Sequence, residues 1–542
     1  MKSSRAGLVL GSVWFALASV ACGGRSELPP GAVSNGGAGT GGMPSVSCSS
    51  DAECGESDAC AARLCLDGLC KREATNCDDG DVCTADTCDI VSGCAHRELT
   101  LDSDGDGFKG PRPGFAPGAP NSCGNDCDDR SAAAFPGNRE VCDGVDNDCN
   151  GVVDDNTSYV ATKMAPIRVS TLKDKEARRH QGGLVATPNG FVLTYTASLP
   201  FATDPSRARW HPFMKGLRPD GGSLFESDVS DVNAESFAGS LAWSGDVLAT
   251  AWDDARVGGN YEVYLGRFTG QGEKLAADQR VTDAVGFSQR PFITWNQSEF
   301  VLAWDDSRKE GRVNGNRVAI FGQRAAPDGT LLGASVPLVD DGQVNEAPMI
   351  ALGPERLALV YSISSPDGLG TARFGFRTLD AALALGGAAP EPMGIDVQSP
   401  TVHFVGDRFV VLWELYSNST GPGNAIWGAA FDPQGRLLLP PRQLTSGGAH
   451  FARTHDALSL GDRLVLMWSE DQDGNFEIFW EVLGLDLSVR EPRQRLTFNA
   501  GESKSPALAA GAGGKIGVVF EDTFEGSRQV YFTTLECGPT LK

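Results

Sequence analysis

Short runs of apolar residues that end in a large aromatic recur along the C-terminal two thirds of the chain. Each run is bounded by polar segments rich in Gly, Asp and Pro, a pattern typical of buried β-strands. The aromatics that end the runs are Tyr195, Trp252, Trp304, Tyr361, Trp413, Trp468 and Phe520. Their spacings are 57, 52, 57, 52, 55 and 52 residues. A repeat of about 50 residues built from short strands predicts a β-propeller, here with seven blades.

Each repeat carries four segments with the pattern of a strand. A short apolar segment such as 290–295 comes first, and the segment that ends in the aromatic follows after a turn. An alternating segment such as 261–268 comes next, and a turn such as 327–329 leads to the fourth. Four strands make one propeller blade. We therefore expect an all-β fold: a seven-bladed β-propeller of four-stranded blades over residues 160–542, preceded by a small disulfide-rich stalk with metal-binding loops.

The ends of the repeats predict how the ring closes. Several fourth strands end in a shared phrase, at 279–282, 442–445 and 494–497, but the last repeat ends near Cys537 with no room for such a strand. A matching phrase stands ahead of the first repeat, at 166–170. We expect that segment to supply the outer strand of the last blade, which removes an exposed sheet edge. Cys537 then lies near the cysteine-rich stalk and is expected to bond to one of its cysteines.

The first residues of the chain have the pattern of an export signal. Lys2 and Arg5 precede an apolar run at 6–21, which is shorter than a typical transmembrane helix. The run ends in small residues before Cys22 and resembles the lipobox of bacterial lipoproteins. The resemblance implies that residues 1–21 are removed and that Cys22 receives diacylglycerol. Ordinary secretion, in which Cys22 is discarded, is the alternative.

The residues after Cys22 bear on location. Gly23 stands where an Asp would indicate retention in the inner membrane of many Gram-negative species, so the resemblance favours the cell outer membrane. Residues 22–47 are mostly Gly, Ser, Pro and Ala with few charges and are expected to form a flexible tether. The membrane is then a partner through the lipid anchor, because several acyl chains hold a protein firmly.

The fifteen cysteines are unevenly placed. Thirteen lie between Cys48 and Cys149, a clustering typical of a disulfide scaffold in an oxidising compartment. A zinc site is the alternative, but the spacings do not suit it and only His96 lies near. Part of the cysteine-rich module at 48–98, residues 77–96, is similar to the CTDC repeat of slime-mould extracellular matrix proteins. That similarity implies a small disulfide-bonded module with no catalytic role. The sequence leaves the pairing of its cysteines open.

The next segment, 99–158, begins with alternating carboxylates. Asp102, Asp104 and Asp106 occupy every second position, and glycines between and after them allow the loop to turn back on itself. This is how a cage of oxygen ligands for calcium begins. Asp126, Asp128 and Asp129 are candidates to close the shell.

A second calcium-loop pattern follows. Asp146, Asp148 and Asn150 stand at the first, third and fifth positions of a loop, Gly151 stands at the sixth, and Asp154 at the ninth. Carboxylate and amide oxygens at these offsets are typical ligands of calcium.

The two patterns together resemble the MopE-type metal-binding repeat. The resemblance rests on the phrases at 125–129, 136–137, 140–144 and 146–151. The family carries an association with copper, but copper prefers imidazole, thiolate or thioether ligands, and no His or Met lies between Arg97 and Thr162. We therefore expect structural calcium, with a solvated acidic loop that holds no ion, or copper, as the alternatives.

One phrase in the propeller is a candidate ligand site. It reads Trp-Asp-Asp-x-Arg at 252–256 and 304–308 and resembles a phrase common in secreted bacterial propeller repeats. The candidate residues are Asp253, Arg256, Asp305 and Arg308. In the alternative, the acids cap backbone amides and the arginines pair with a neighbouring blade, and repetition at equivalent positions favours this structural role.

The net charge and the absence of common catalytic motifs narrow the range of functions that the sequence allows. The net charge is −24, which disfavours nucleic acid and anionic lipid surfaces as partners. The sequence has no G-x-S-x-G, HExxH, P-loop, CxxC or sialidase-type box, so no catalytic residue is predicted.

The whole layout resembles that of a bacterial, myxobacterial-type surface lipoprotein. We therefore expect a non-catalytic cell-surface protein whose calcium-stabilised stalk presents a propeller that binds extracellular protein or glycan. The alternatives are a secreted propeller hydrolase or lyase with an unrecognised site, and a copper-binding surface protein.

Overall fold

The computed structural model describes residues 46–140, 142, 145–151, 153, 154, 157–162, 164–171, 176–201, 204, 206–308, 317–364, 372–386, 396–415, 424–446, 451–472 and 474–539. The expected leader, Cys22 and most of the tether lie outside these residues. The chain divides into two compact units, Met1–Leu99 and Thr100–Lys542. Among the described residues, no helix has the length and apolar character needed to cross a membrane.

The first unit is held by disulfides around two hairpins. A 3₁₀ helix at Asp51–Cys54 precedes strands β1 (Ala61–Leu66), β2 (Leu69–Ala74), β3 (Thr84–Asp89) and β4 (Gly93–Glu98). The pairs are Cys48–Cys65, Cys54–Cys70, Cys60–Cys88 and Cys77–Cys94. The buried apolar residues that the structure describes here are Cys54 and Ala61, so the disulfides take the place of a core. Because these sulfurs are bonded to each other, they cannot act as the thiolates of a zinc site.

The second unit contains the propeller, whose strands are β5–β33. Two short strands precede the first blade, β5 (Thr157–Ala161) and β6 (Ile167–Arg168). The first three blades consist of β7 (Ala177–Thr187), β8 (Gly190–Pro200), β9 (Ala208–Leu217) and β10 (Ser223–Asp228); β11 (Ser236–Trp243), β12 (Val247–Val257), β13 (Asn260–Thr269) and β14 (Gln279–Arg280); and β15 (Ser288–Trp295), β16 (Phe300–Asp306), β17 (Ala319–Ala325) and β18 (Leu331–Val339).

The remaining four blades follow the same order. They consist of β19 (Val344–Leu352), β20 (Leu357–Ser364), β21 (Arg373–Leu379) and β22 (Leu385–Gly386); β23 (Val397–Val405), β24 (Arg408–Leu415), β25 (Ala425–Phe431) and β26 (Leu437–Gln443); β27 (Ala452–Leu460), β28 (Arg463–Gln472), β29 (Asn475–Gly484) and β30 (Val489–Arg495); and β31 (Ser503–Ala510), β32 (Ile516–Asp522) and β33 (Gln529–Pro539). A 3₁₀ turn at Ala512–Gly514 joins β31 to β32. Every blade is an antiparallel sheet, which confirms the predicted fold class.

The first strands of the blades form the inner ring. Each first strand contacts those of its neighbours, and β7 of the first blade contacts β31 of the last, so the ring is closed. The turn between the first and second strands of each blade lies at one end of this ring. The beginnings of the first strands lie at the other end.

The aromatics that end the second strands form the blade cores, as predicted. All seven are at most 3% exposed. In six blades the residue paired across from the aromatic on the third strand is also aromatic, as in Trp252 opposite Tyr264 and Trp468 opposite Phe479. In the fourth blade, Gly375 faces Tyr361 and leaves room for its ring. These side chains therefore serve packing and are not available as a sugar-binding platform.

The N-terminal segment completes the last blade in two pieces. β6 pairs with Tyr531 and Phe532 of β33, within the segment expected at 166–170. β5 pairs with residues 535–539 of the same strand, an addition that the sequence did not indicate. The expected bond from Cys537 to the stalk is confirmed, since Cys537 forms a disulfide with Cys142. The covalent link spans 395 residues of sequence.

Candidate metal centres and interblade contacts

The first acidic loop is ordered by its own backbone. Asp102 accepts hydrogen bonds from the N–H groups of Gly105 and Gly107, at 2.7 and 3.2 Å. Asp104 accepts one from the N–H of Asp106, and Asp106 accepts one from the N–H of Phe108. Ligand oxygens of the three aspartates lie within 4.8 Å of one another. The alternating carboxylates therefore point to one place, as a cation site requires.

Asp126 joins this loop from a distant point in the sequence. Its residue is fully buried, and its Oδ1 accepts a hydrogen bond from the N–H of Asp128. The second carboxylate oxygens of Asp104, Asp106 and Asp126 are buried and have no hydrogen-bond partner among the described residues. Burial raises the pKa of Asp126, and the charges of Asp106 and Asp104 raise it further. A buried carboxylate oxygen without a partner is costly, and a divalent cation would remove that cost.

Two neighbouring acids have other roles. Asp128 points to Arg130, with Oδ1 3.3 Å from Nε, and does not join the three buried oxygens. Asp129 accepts hydrogen bonds from the N–H and hydroxyl groups of Ser103 and so ties the first loop to the 126–129 segment. The structure thus brings Asp126 to the first loop and leaves Asp128 facing outward.

The second acidic loop is also folded on its own carboxylates. Asp146 accepts hydrogen bonds from the N–H groups of Asn150 and Gly151, at 3.1 and 2.8 Å. Asp148 accepts from the N–H and side-chain amide of Asn150, at 3.0 and 2.9 Å. A disulfide joins Cys149 of this loop to Cys127, which lies between Asp126 and the outward-facing Asp128. The disulfide therefore connects the second loop to the segment that carries Asp126.

Two residues frame the second loop. Glu140 is 7% exposed, and its Oε1 accepts a hydrogen bond from the N–H of Asp148 at 2.8 Å. Its Oε2 has no partner among the residues that the structure describes. Asp154 is 3% exposed, and its Oδ2 lies 3.7 Å from Nη2 of Arg463 in the propeller. The sequence singled out Asp154 by its offset but missed Glu140, which lies before the loop and is marked only by its place in the MopE-type phrase.

The donors of both loops suit a hard cation. They are carboxylate oxygens, with one amide at Asn150, and these are the ligands that calcium prefers. The nearest sulfurs, those of Cys127 and Cys149, are bonded to each other and offer no thiolate for copper. The residues therefore fit calcium better than copper.

The two candidate arginines of the propeller pair within their own blades, so the expected pairing with a neighbouring blade was wrong. Nη2 of Arg256 lies 2.8 Å from a carboxylate oxygen of Asp254 and 2.8 Å from one of Asp278. Nη2 of Arg308 lies 2.7 Å from Asp306. Each guanidinium also covers an aromatic ring of the third strand, at 4.0 and 3.9 Å from the ring centroid. These contacts hold the edge of each blade together.

The two candidate aspartates of the propeller lie at contacts between blades. Asp253 is 5% exposed, accepts a hydrogen bond from the N–H of Arg290 in the next blade, and has its pKa raised to about 7 by burial. Asp305 binds the guanidinium of Arg290 and also accepts from the N–H of Ala347 in the following blade. Arg290 reaches Glu346 as well, with Nη2 2.5 Å from Oε1. Acids and an arginine from three consecutive blades thus meet at the beginnings of the inner strands.

The sequence analysis did not identify Arg290 and Glu346 as site residues. A residue before proline that recurs in several first strands is a signal that could have marked this position. Arg290 has a positive φ of 50° at a bulge in its strand and precedes a proline. Equivalent first strands carry a positive φ before proline at Ala347, Ser399 and Ser505. This conformation is uncommon before proline, so the recurring pair marks where these four inner strands bend. The N–H groups of Arg290, Ala347 and Ser505 reach acceptors in the preceding blades.

One buried group in the propeller has the residue types of a hydrolytic triad. Nε2 of His455 lies 3.1 Å from Oγ1 of Thr401, and its Nδ1 lies 3.9 Å from Glu414. All three residues are at most 5% exposed, and 3.9 Å is longer than a hydrogen bond. The group is shielded from solvent and joins the fifth blade to the sixth.

Comparisons with known proteins bear on separate parts of the chain. Residues 126–155 match the family model Cu-binding_MopE, described as a "Putative metal-binding motif". The curated protein psiQ of Dictyostelium discoideum is 40% identical over 53 residues, which are 10% of this chain and 5% of psiQ. The chain thus spans a small fraction of the length of that relative.

Several solved structures align with parts of the chain at low identity. A protein of unknown function from Dyadobacter fermentans aligns over 57% of this chain and 97% of its own, with 13% identity and a TM-score of 0.41. The β-propeller domain of the Trilobed protease from Pyrococcus furiosus aligns over 67% and 97%, with 6% identity and a TM-score of 0.41. An endo-arabinase from Bacteroides thetaiotaomicron aligns over 45% and 92%, with 13% identity and a TM-score of 0.29. These values are too low to indicate a shared activity.

Proposed function

We propose that this chain is a non-catalytic, lipid-anchored cell-surface protein in which a calcium-loaded acidic module carries a propeller that binds extracellular protein or glycan. The observation that carries the calcium assignment is that carboxylate oxygens of Asp104, Asp106 and Asp126 are buried without partners among the described residues, with the N–H of Asp126 bound to the carbonyl of Lys109 at the end of the first loop. Asp102 adds a carboxylate to the same loop. Calcium takes six to eight such oxygens, and water completes the shell.

The position of the acidic module supports a binding role for the propeller. Arg463, which contacts the module through the carbonyls of Val153 and Asp154, begins the second strand of its blade. Gly514, in the turn between β31 and β32, lies beside Cys142. Both contacts are at the end of the ring formed by the turns between first and second strands. The opposite end, where Arg290 and Glu346 lie, is the one left for a ligand.

A paired substitution tests the first calcium site. Asp126→Asn removes a buried, inward-facing carboxylate, whereas Asp128→Asn removes the same charge two residues away on a side chain that faces Arg130. Isothermal titration of calcium into chelator-treated protein should show one binding event fewer in Asp126→Asn and an unchanged titration in Asp128→Asn. Unchanged binding in Asp126→Asn would show that the buried oxygens are not ligands.

The anchor is tested separately. Cys22→Ala should release the protein from the membrane fraction into the soluble fraction, because one cysteine carries the lipid in this proposal. Retention of the variant in the membrane fraction would contradict a lipid anchor at Cys22.

A propeller hydrolase or lyase is the second candidate, favoured by the meeting of Asp253, Arg290, Asp305 and Glu346 from three blades. Buried acids with a raised pKa occur at active sites as well as in structural networks. Polysaccharides should bind without release of new reducing ends if the propeller only binds. Cleavage that is lost in Glu346→Gln, whose side chain is partly exposed, would favour the enzyme.

A further inference from the structure

Glu140 carries a buried carboxylate in which one oxygen has no hydrogen-bond partner among the described residues. Its Oε1 is held by the N–H of Asp148, inside the second acidic loop, while its Oε2 is buried without a partner among the described residues. The residue is 93% buried, the complement of its 7% exposure. A charged oxygen in such a place is costly unless a cation binds it.

The same residue lies two positions before the covalent link to the propeller. Cys142 forms a disulfide with Cys537 on β33, and Tyr159 of β5 pairs with Cys537 across the sheet. The hydroxyl group of Tyr159 also donates a hydrogen bond to the carbonyl of Cys142 at 2.7 Å. Tyr159 is 1% exposed and packs in the core between the sixth and seventh blades. Glu140 therefore lies two residues from a disulfide to the strand that closes the ring.

The other side of the loop is held by the sixth blade. Nη2 of Arg463 donates to the carbonyls of Val153 and Asp154, at 3.0 and 3.2 Å. Nη1 of Arg463 lies 4.0 Å from Glu491, which in turn accepts a hydrogen bond from the N–H of Tyr159 at 3.2 Å. The second acidic loop thus lies between a disulfide to the seventh blade and hydrogen bonds to the sixth.

We propose that Glu140 is the buried ligand of the second cation site, and that a calcium ion held there braces the closure of the propeller through Cys142–Cys537. The inference rests on the proposed calcium module but goes beyond it, since it makes the stability of the propeller depend on an ion bound outside the propeller.

The tryptophans allow the propeller to be followed by itself. Of the ten tryptophans, only Trp14 precedes residue 160, and it belongs to the leader. Thermal unfolding of residues 23–542, followed by tryptophan fluorescence with calcium or with chelator, therefore reports on the propeller. Calcium should raise the melting temperature by about 2–5 °C in the unsubstituted protein.

Two variants test whether Glu140 is responsible for the calcium-dependent rise in melting temperature. Glu140→Gln should lose most of the calcium-dependent shift. Glu536→Gln, which removes a carboxylate next to Cys537 whose side chain is 45% exposed and lies 3.6 Å from Nζ of Lys515, should retain it. A full shift in Glu140→Gln would overturn its assignment as a ligand.

A third variant tests the path to the propeller and remains informative if Glu140→Gln fails to fold. Cys142→Ser/Cys537→Ser should still bind calcium in a titration but should show a much smaller shift of the melting temperature. An unchanged shift would overturn the role of the disulfide. Calcium binding without any shift in the unsubstituted protein would overturn the brace alone, whereas absence of calcium binding would overturn the proposed calcium module itself.

Discussion

Arg290 and Asp305 form a bidentate ion pair between the first and second strands of the third blade, with Nε–Oδ1 and Nη2–Oδ2 distances of 3.0 and 2.9 Å. The Asp305 side chain is 5% exposed, and that of Arg290 is 50% exposed. The backbone N–H of Arg290 binds Asp253 in the preceding blade, and its guanidinium reaches Glu346 in the next. A single arginine therefore connects three blades.

Loss of this arginine should destabilise the propeller. Arg290→Gln leaves the buried carboxylate of Asp305 without its charged partner, which should cost about 2–3 kcal/mol. Urea unfolding followed by tryptophan fluorescence measures the change. The matched control is Arg218→Gln, whose side chain is 52% exposed and whose partner Asp220 is 74% exposed, so its loss should be below about 1 kcal/mol. Equal effects of the two substitutions would contradict a structural role for the interblade pair.

Loss of Asp306, a buried acid inside the third blade, should destabilise the protein at least as much as loss of Arg290. Asp306 accepts hydrogen bonds from Nε1 of Trp304 at 2.9 Å, from the hydroxyl of Ser288 at 3.0 Å, and from Arg308. Asp306→Ala leaves these donors unpaired in the blade and should lower the free energy of unfolding by about 3–5 kcal/mol.

The control for Asp306 is an exposed turn aspartate, Asp246, whose change to Ala should stay within about 0.5 kcal/mol. Unfolding midpoints in urea give both values. A near-neutral Asp306→Ala would reopen the possibility that the Trp-Asp-Asp-x-Arg phrase is kept for a ligand.

Glu481 should make the stability of the protein depend on pH. Burial raises its pKa from 4.5 to about 7, while the charge of Arg493 lowers it and that of Glu470 raises it. The folded state thus holds a proton that the unfolded state releases. The contribution of Glu481 is fully present below pH 4.5 and is lost as the pH rises through 7, by about 3 kcal/mol in total.

Glu481→Gln should remove this dependence. The variant should match the unsubstituted protein at pH 4 and be more stable than it at pH 8, with the difference read from thermal unfolding at both pH values. The exposed Glu273→Gln serves as the control and should shift neither curve. A Glu481→Gln variant that is less stable than the parent at pH 8 would show that the ionised carboxylate is favourable there.

The repeated strands could be predicted because their information is local. The aromatic that ends each second strand recurs with the blade, and the phrase at 166–170 matched the missing outer strand of the last one. Even the bond from Cys537 to the stalk followed from closure. The pairing of β5 with the last blade could not be predicted, because residues 157–161 carry no phrase shared with other outer strands.

The site residues show the limit of that reasoning. Asp102, Asp104 and Asp106 could be found because their spacing alone defines a loop. Asp126 could be proposed but not distinguished from Asp128, since only the fold decides which of the two carboxylates faces inward. Glu140 and Arg290 were missed because each gains its role from partners in other segments, Asp148 for one and Asp253 and Glu346 for the other. Disulfide connectivity was left open for the same reason.

The measurement that tests the central claim most directly is a calorimetric titration of calcium, and then copper, into chelator-treated protein comprising residues 23–542. The oxygen donors of the two acidic loops predict calcium binding with a stoichiometry near two, and a higher melting temperature with calcium present. Tight copper binding without calcium binding would contradict this account and would make metal handling itself the leading function.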